Sequence, residues 1–426
     1  MMQLTSEENA MLDGAQGRAR QRAMELLVRY GEALGAERLV ETNNVATTVA
    51  PSGPLIRPYA TRGMDHVFSE FNLDSDEVVG TPPMAAHTCQ LIQGIDESLP
   101  EMREAAPEAV PLQRQGEEFF GRRGVTMHST CTPYQLGTIP VFGEHCAWME
   151  SSAVVYCNAV LGARTNTEGR ESTGAASITR RIPYWGYHLP ENRYGTHLID
   201  VEHSTESMMD WGLLGYWLGE AVEEDIPVLR GALHRPALES LKHFGAAAAS
   251  SGGVEMYHII GVTPEAPSLD AAFGGRAPRA ALRYTAADRR RAYENLNTSA
   301  STGEVDFIML GCPHNSAAQV AEVARLLEGR RISANTQLWV FTPRALREVA
   351  EHSGHAAIIR AAGGQVVSDT CPAISRIMPK GTRVVATDSA KQAHYLPAIT
   401  GVETWFGSLA DCVRAAIDGR WSGSIA

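Results

Sequence analysis

The sequence predicts an α/β fold built around parallel β-sheets. Short apolar runs alternate with segments of helical spacing in the last third of the chain, which is typical of βαβ units. The composition, 44% hydrophobic and 20% charged, is that of a globular protein. With 426 residues the chain is long enough for two or three packed cores. We expect an N-terminal α/β region over residues 1–290 and a C-terminal α/β domain over 291–426.

The N-terminal part is predicted to begin with a long helix and to continue through loops. Residues 5–8 have the pattern of a capping box, and apolar residues then recur at helical spacing. This predicts a helix over 7–34, with Gly14 and Gly17 as weak points. Residues 42–111 carry many prolines among short apolar runs and are predicted to be loops over a scaffold.

The rest of the chain shows both helical and strand-like patterns. In the middle we predict helices at 152–161, 206–222 and 236–249, a strand at 254–261, and an exposed helix or linker near 289–297. In the last third we predict strands at 306–310, 337–341, 365–367 and 383–387, and helices at 316–327, 343–351 and 408–417. Strands alternating with helices in this way imply a parallel sheet.

Charge and hydropathy argue against two classes of partner. The formal net charge is −12 and the basic residues are scattered, so there is no basic stripe for a nucleic acid to follow. The most apolar helical stretch, 208–222, contains two acidic residues and is shorter than the ~20 residues that cross a bilayer. The N-terminus lacks the pattern of a secretory signal. We therefore expect a cytoplasmic protein with no nucleic-acid and no membrane partner.

The cysteines point to metal chemistry or packing rather than to disulfides. Their odd number in a chain without a secretory signal argues against a disulfide framework. Three of the seven, Cys131, Cys312 and Cys371, share a local setting. Each follows a strand-like run and is followed by proline at once or after one residue, which predicts a thiol at the carboxyl end of a strand, facing the start of a helix. Helix N-termini favour negative charge and so favour the thiolate that binds metal.

Three thiolates from three separate loops suit an iron–sulfur cluster in which one iron has no protein ligand. The wide spacing of Cys131, Cys312 and Cys371 is a poor match to closed structural zinc sites, whose ligands usually come in close pairs. On the residues alone, a metal site and three separately packed thiols both remain open. The other four cysteines lack this setting and are predicted to be packing residues: Cys89, Cys146, Cys157 and Cys412.

Several motifs, in order, extend the pattern beyond the cysteines. They are TCTPYQ at 130–135, GE at 143–144, AWMESSA at 147–153, NAVLGARTN at 158–166, GCPH at 311–314, DTCP at 369–372 and DSAKQAHY at 388–395. In these motifs the sequence resembles the large subunit of the aconitase X family, distant relatives of aconitase. The resemblance runs from residue 4 to about residue 416. One departure concerns residues 43–48 and 80–87, where the family usually has a histidine-containing segment and a threonine-rich loop, and it leaves the substrate open.

The resemblance implies a function as well as a fold. It implies an aconitase-like, multi-lobed α/β architecture with an iron–sulfur site at strand carboxyl ends between lobes, held by Cys131, Cys312 and Cys371. It implies a hydro-lyase that removes water from a small hydroxy acid such as cis-3-hydroxy-L-proline, or alternatively from mevalonate 5-phosphate. It also implies a small swivelling domain that carries a catalytic serine. Because the chain ends at Ala426, we expect that domain to be a separate partner subunit.

Cationic and polar side chains in these motifs are candidates for substrate binding. Arg164 and Asn166 are predicted to lie on a loop after a helix that ends at Gly162, and Arg164 suits a carboxylate because its fork matches that group. Lys391, predicted in a polar loop after a strand, would neutralise a substrate anion. A surface salt bridge and a solvated lysine are the ordinary alternatives. The histidines His314 and His394 could donate to substrate or to cluster sulfide, or be structural.

Three further residues are candidates for catalysis. They are Glu150 and Ser151, which precede a helix, and Ser389, which follows a strand. Glu150 could act as an acid or base, although capping the helix is the ordinary role for polar residues at this position. The predicted mechanism has the substrate hydroxyl bind the exposed iron, Arg164 and Lys391 hold the anion, and a serine of the partner subunit remove the proton.

Three other functions stay open at this point. One is a zinc or mononuclear-iron hydrolase that uses the same thiols. Another is a non-catalytic scaffold or binding member of the family, suggested by the altered segments at 43–48 and 80–87. An activated-cysteine enzyme is the third, and it has the least support because no cysteine shows a local nucleophile signature.

Overall fold

The computed structural model describes residues 2–50, 63–65, 79–92 and 94–425. In this part of the chain, three all-parallel sheets and one antiparallel ribbon form an α/β fold, as predicted. The strands are β1 (Leu39–Glu41), β2 (Asn44–Thr47), β3 (His87–Gln90), β4 (Val125–Thr126), β5 (Ala147–Trp148), β6 (Arg181–Pro183), β7 (His197–Val201), β8 (Pro227–Gly231), β9 (His258–Ile259), β10 (Ala280–Tyr284), β11 (Phe307–Leu310), β12 (Gln337–Phe341), β13 (Gln365–Val367), β14 (Val384–Thr387) and β15 (Glu403–Phe406).

Helices of 4 to 16 residues connect and cover these sheets. They are α1 (Ser6–Leu12), α2 (Arg18–Ala33), α3 (Pro100–Ala105), α4 (Ala109–Gly121), α5 (Ser151–Val155), α6 (Arg170–Thr179), α7 (Met208–Val222), α8 (Leu238–Gly252), α9 (Leu269–Phe273), α10 (Ala286–Leu296), α11 (Ala317–Leu327), α12 (Arg344–His352), α13 (His355–Ala362), α14 (Pro372–Ser375), α15 (Ala390–Thr400) and α16 (Leu409–Asp418). None of the described helices is both long and apolar enough to span a membrane.

The predicted N-terminal helix is wrong as a single element. The capping box at Thr5 and Glu8 is present, but α1 ends at Leu12 and α2 starts only after Gly17. Gly17 has φ +94°, a left-handed backbone that glycine adopts at little cost and that cannot continue an α-helix. The break therefore falls at the predicted weak points, and it lets α2 pack along α6.

The first sheet has the strand order β4-β3-β2-β5, all parallel. Its two inner strands lie within residues 42–111, where we predicted only loops, and the helix α3 and the start of α4 lie there too. That prediction is wrong for these segments because strands of four residues show too few alternations to stand out among prolines. The rest of the predicted loop region, residues 51–62, 66–78 and 93, lies outside the described residues.

The second sheet has the order β10-β7-β8-β9, with α7 and α8 packed on each other beside it. The helices predicted at 206–222 and 236–249 are confirmed as α7 and α8, and residues 289–297 belong largely to the helix α10. The strand predicted at 254–261 reduces to the two residues of β9. An apolar cluster that includes Trp211, Phe244 and Tyr257 fills the space between these elements.

The third sheet has the order β13-β12-β11-β14-β15 and shows the predicted alternation of strands and helices. Parallel strands end at the same edge of a sheet, so the segments after β11, β13 and β14 lie along one edge, with those after β11 and β14 next to each other. One local prediction is wrong: residues 389–391 do not form a loop. Ser389 caps α15, its hydroxyl accepting the backbone N–H of Gln392 at 3.2 Å, and Lys391 stands in the first turn.

Candidate active site

A cavity of about 330 Å³ lies between the carboxyl edges of the first and third sheets. From the first sheet it is lined by residues that follow each of the four strands: Thr48, Leu91, Ile92, Cys131, Met149, Glu150, Ser151 and Ser152. From the third sheet it is lined by residues that follow three strands: Gly311, Cys312, Pro313, His314, Cys371, Ala373, Ile374, Lys391 and Gln392. Carboxyl edges of parallel sheets are the usual place for ligands in α/β folds. The cavity is therefore the candidate active site.

The three cysteines with the shared local setting all line this cavity. Cys131 precedes the short 3₁₀ turn Pro133–Leu136, and Cys371 precedes α14, whose first residue is Pro372. Cys312 departs from the pattern because Pro313 starts no helix, and α11 begins only at Ala317. Each cysteine is buried, with 6–7% of its surface exposed.

Gly311 shapes the approach to Cys312. It has φ +107°, and a Cβ at this position would lie 2.2 Å from the carbonyl oxygen of Phe341 on the neighbouring strand. Only glycine fits both the backbone angle and the space. The chain can therefore turn out of β11 directly into the cavity.

The ring of His314 joins the loops that carry the three cysteines. Its Nε2 donates to the carbonyl oxygen of Thr370 at 3.0 Å, and its Nδ1 accepts from the hydroxyl of Thr130 at 2.9 Å. Its backbone N–H lies 3.3 Å from Sγ of Cys131. Burial lowers the pKa of His314 to about 4, so the ring is neutral with its proton on Nε2. Both ring nitrogens are hydrogen-bonded within the protein. The donation from His314 to substrate that we predicted therefore gains no support from these contacts.

Burial raises the pKa of each of the three thiols. The pKa of Cys371 is raised to about 12, and burial together with the charge of Glu150 raises the pKa of Cys131. The rise is offset in part at Cys312, where Lys391 and the side-chain amide of Gln392 favour the thiolate. Nε2 of Gln392 lies 2.9 Å from Sγ of Cys312. Thiols in this setting stay protonated unless a cation displaces the proton.

The ligand geometry does not suit a single metal ion. Within the described ranges, no three His, Cys, Asp or Glu side chains converge closely enough to hold one ion. A single zinc ion would need each sulfur at ~2.3 Å. The three thiols line one cavity but are not brought together in that arrangement.

A charged pair faces the thiols across the cavity. Nζ of Lys391 donates to Oε1 of Glu150 at 2.7 Å and to the hydroxyl of Ser151 at 3.2 Å. The other carboxylate oxygen of Glu150 accepts from the hydroxyl of Ser152 and from the backbone N–H of Ala153, which caps α5. Burial alone would raise the pKa of Glu150, but Lys391 and these hydrogen bonds lower it. Glu150 is therefore ionised and occupied on both oxygens.

Two predicted substrate-binding residues lie elsewhere. Arg164 and Asn166 are on a loop, as predicted, but they are not among the residues that line the cavity. Arg164 donates to the carbonyl oxygen of His188 at 3.1 Å, and Asn166 accepts the backbone N–H of Tyr187 at 2.8 Å. Both hold the segment 185–188 in place, and this placement gives no support to a role in substrate binding.

Ser389 and His394 also lie outside the lining. Ser389 is buried and its hydroxyl caps α15. His394 is further along the same helix, where its Nδ1 lies 3.2 Å from the hydroxyl of Tyr216. The catalytic and substrate-binding roles that we predicted for them gain no support from these contacts.

Two residues near the thiols escape prediction from the sequence. Gln392 directly follows Lys391 in the DSAKQAHY motif, and its position next to a candidate site residue could have pointed to it. Lys242 comes from α8 in the middle of the chain, and its Nζ donates to the carbonyl oxygen of His314 at 2.8 Å. Its signal is the scarcity of lysine in this sequence, which has only three.

Comparison with known proteins assigns all three sheets to one family. The sequence matches the first domain of aconitase X over residues 1–191, the second over 195–294 and the third over 305–418. Phosphomevalonate dehydratase large subunit of Methanocaldococcus jannaschii is 35% identical over 97% of this chain and 100% of that protein. Cis-3-hydroxy-L-proline dehydratase of Pseudomonas aeruginosa is 36% identical over 98% of this chain and 70% of that protein.

A solved structure agrees with the sequence comparison. The holo-form of aconitase X from Thermococcus kodakaraensis superimposes with a TM-score of 0.80 at 31% identity, covering 97% of this chain and 100% of that one. The chain belongs to the aconitase X family of dehydratases.

Proposed function

We propose that this chain is the cluster-carrying subunit of a hydro-lyase and that Cys131, Cys312 and Cys371 hold an iron–sulfur cluster in the cavity. The observation that carries this proposal is the donor set: three thiols from three loops line one cavity but do not converge as ligands of a single ion. Thiols from three separate loops could hold a multi-iron group, and with three thiol ligands one of its irons would be left without a protein ligand. When bound, such a cluster supplies a Lewis acid for the departing hydroxyl group.

The described lining favours a small substrate with one anionic group. Among the described residues that line the cavity, Lys391 is the one with a permanent positive charge, and one of its protons remains after it donates to Glu150 and Ser151. The rest of the wall is largely apolar, including Leu91 and Ile92. We propose cis-3-hydroxy-L-proline as the substrate class, because it carries a single carboxylate.

Mevalonate 5-phosphate is the alternative substrate. The relative from Methanocaldococcus jannaschii is named after this substrate, and this chain covers the full length of that protein. A phosphate and a carboxylate together would need more cations than Lys391 provides among the described lining residues. This alternative therefore depends on further cationic residues.

The proposed catalytic role of this chain is to position the substrate. Lys391 binds and orients the carboxylate, and the apolar wall excludes water from the reacting centre. Glu150 holds Lys391 in place rather than exchanging protons, because both of its oxygens are occupied. Ser151 accepts a hydrogen bond from Lys391 and keeps its own proton available for the substrate.

We assign the base to a serine of a small swivelling partner subunit. Among the described residues that line the cavity, none is a free base, since Glu150 and His314 are both fully bonded. Several relatives are named as large subunits, which is consistent with a second subunit. Closure of that subunit over the cavity would complete the site.

Purification without oxygen tests the cofactor. The full chain, co-expressed with its candidate partner, should contain iron and acid-labile sulfide. Cys131→Ser, Cys312→Ser and Cys371→Ser should each lose most of the iron, whereas Cys412→Ala, which removes a buried thiol from the core below α16, should keep it. Zinc without sulfide would support the mononuclear alternative, and full iron in all three variants would refute the assignment.

Turnover assays test the substrate. The complex should dehydrate cis-3-hydroxy-L-proline faster than mevalonate 5-phosphate, and the isolated large chain should show little turnover of either. A preference for the phosphorylated acid would overturn the substrate assignment but leave the cluster assignment standing. Full activity of the isolated chain would overturn the assignment of the base to a partner.

A further inference from the structure

Lysine is scarce in this protein, and its placement is uneven. The sequence has three lysines, Lys242, Lys380 and Lys391, among 37 basic residues. Lys380 is exposed, whereas Lys391 lines the cavity with the three cysteines and Lys242 donates to the carbonyl oxygen of His314, two residues after Cys312. Lys391 is neutralised by Glu150. Lys242 has no such explanation in the function proposed above.

The ammonium group of Lys242 is buried among neutral acceptors. Lys242 is 3% exposed, and its Nζ donates to the carbonyl oxygen of His314 at 2.8 Å and to Oε1 of Gln319 at 2.5 Å. Glu239, one turn earlier on α8, accepts from Ser316 at 2.8 Å instead. In the part of the chain that the structure describes, no carboxylate is hydrogen-bonded to Lys242.

An ammonium in this position is costly unless an anion compensates it. Burial lowers the pKa of Lys242 to about 8, so the group still carries a proton at pH 7. The charge that most opposes this lowering is that of Cys131, ahead of Glu239 and Asp388. Asp388 is also buried, and burial raises its pKa to about 6. At pH 7 Asp388 is therefore largely ionised and offsets part of the charge of Lys242, and a metal-bound thiolate at Cys131 would add to this compensation.

The contacts also connect Lys242 to the thiols structurally. The residue whose carbonyl oxygen it binds, His314, directs its backbone N–H at Sγ of Cys131. Three thiolates would bring three negative charges into a buried site, of which the positive charge of a metal core would offset only part, and the Lys391–Glu150 pair adds no net positive charge. Of the two lysines beside these loops, Lys242 is the one to which no carboxylate is hydrogen-bonded within the described residues.

We propose that Lys242 is the buried counter-ion of the metal group held by Cys131, Cys312 and Cys371. The inference rests on the cluster proposed above. Lys242 does not touch substrate in this assignment. It stabilises the thiolates and the charge of the group they hold. The role of Lys242 is therefore positional and electrostatic.

The test compares Lys242→Met with Lys380→Met, which removes an exposed lysine. Both full-length variants are purified metal-free and then reconstituted with ferrous iron and sulfide without oxygen. A counter-ion predicts that Lys242→Met changes the Tm of the metal-free protein little, because losing a costly buried charge offsets losing its two hydrogen bonds. It predicts that the rise in Tm on reconstitution becomes smaller and that the midpoint potential falls, because reduction adds negative charge. Lys380→Met should match the wild type in each measurement.

The alternative is that Lys242 acts only through packing and its hydrogen bond to His314. In that case Lys242→Met would lower the Tm of the metal-free and reconstituted proteins equally and leave the potential unchanged, which would overturn the proposal. Lys242→Gln, which retains a neutral donor, repeats the comparison if methionine is not accommodated. Circular dichroism decides the remaining cases: folded metal-free variants that take up no iron support the counter-ion, and unfolded ones support packing. A wild-type chain without iron and sulfide would instead refute the cluster itself.

Discussion

Nζ of Lys391 lies 2.7 Å from Oε1 of Glu150, and this contact joins the two walls of the cavity. Lys391 lies on α15, the helix that follows β14 of the third sheet. Glu150 follows β5 of the first sheet. The side chains are 14% and 20% exposed, so the pair is only partly open to solvent. It therefore fixes the relative position of two regions that are far apart in sequence as well as holding the cation in place.

Replacing the cation should affect stability and substrate binding together. Lys391→Met leaves the carboxylate of Glu150 without its counter-charge. We expect a loss of about 1–3 kcal/mol in the free energy of unfolding, less than for a fully buried pair. We also expect KM for a hydroxy acid to rise by about tenfold or more, as a charged hydrogen bond is lost. Urea unfolding and steady-state kinetics measure the two effects.

A second variant separates the two effects of Lys391. Lys391→Met combined with Glu150→Gln removes both charges, so most of the lost stability should return while KM stays high. Lys380→Met serves as the control and should behave like the wild type. If KM of the double variant returned to the wild-type value, Lys391 would not bind the substrate anion.

His314 and His394 should differ sharply when each is replaced by alanine. His314→Ala leaves the hydroxyl of Thr130 and the carbonyl oxygen of Thr370 buried without this partner, at about 1–3 kcal/mol for each group left unpaired. The three cysteine loops lose their shared connection, so bound iron should be released faster. His394→Ala removes one contact to Tyr216 and should cost about 1 kcal/mol or less. Unfolding curves and the rate of iron release measure both. Equal effects of the two substitutions would contradict the structural role of His314.

The sequence predicts those parts of the site whose geometry depends only on neighbouring residues. The setting of strand, cysteine and proline predicts a thiol at a sheet edge, and the structure brings Cys131, Cys312 and Cys371 to one cavity. The strand-helix alternation likewise predicts the third sheet. Such features need only the residues next to them.

Contacts between residues that are far apart in the sequence could not be predicted in this way. The loop containing Arg164 and Asn166 is predictable, but its partners are the backbone of residues 185–188, which no local pattern announces. Lys242 is the opposite case, since a residue of the buried helix α8 reaches the carbonyl oxygen of His314, which is 72 positions away. The sequence shows which side chains are available, and tertiary packing decides which of them meet.

Glu168, which does not line the cavity, should make the free energy of unfolding depend on pH. It is 3% exposed, it accepts the hydroxyl of Ser172 at 2.7 Å, and burial raises its pKa from 4.5 to about 7. Between these values the folded chain keeps a proton that the unfolded chain has lost. The stability contributed by the protonated group is therefore complete below pH 4.5, falls as pH rises through this window, and is lost above pH 7.

Glu168→Gln removes this titration. At pH 8 the variant should be more stable than the wild type, by an amount on the order of 3 kcal/mol, and near pH 4.5 the two should be similar. Urea unfolding at both pH values measures the difference. Glu328→Gln, at an exposed position, should show no such dependence. A variant less stable than the wild type at pH 8 would show that the carboxylate is compensated in the folded chain.

Gln392 offers a test of whether Cys312 carries a charge. Its Nε2 lies 2.9 Å from Sγ of Cys312, and its Oε1 is buried without a hydrogen-bond partner. A metal-bound thiolate accepts this N–H, so Gln392→Leu should weaken iron retention. Gln392→Glu should weaken it further, because a carboxylate would face a thiolate at the same distance. A neutral Cys312 reverses the order, since its S–H could donate to the carboxylate and glutamate would then be better tolerated than leucine. Iron remaining after a fixed exposure to a chelator gives the ranking, and only the order wild type, leucine, glutamate agrees with a thiolate at position 312.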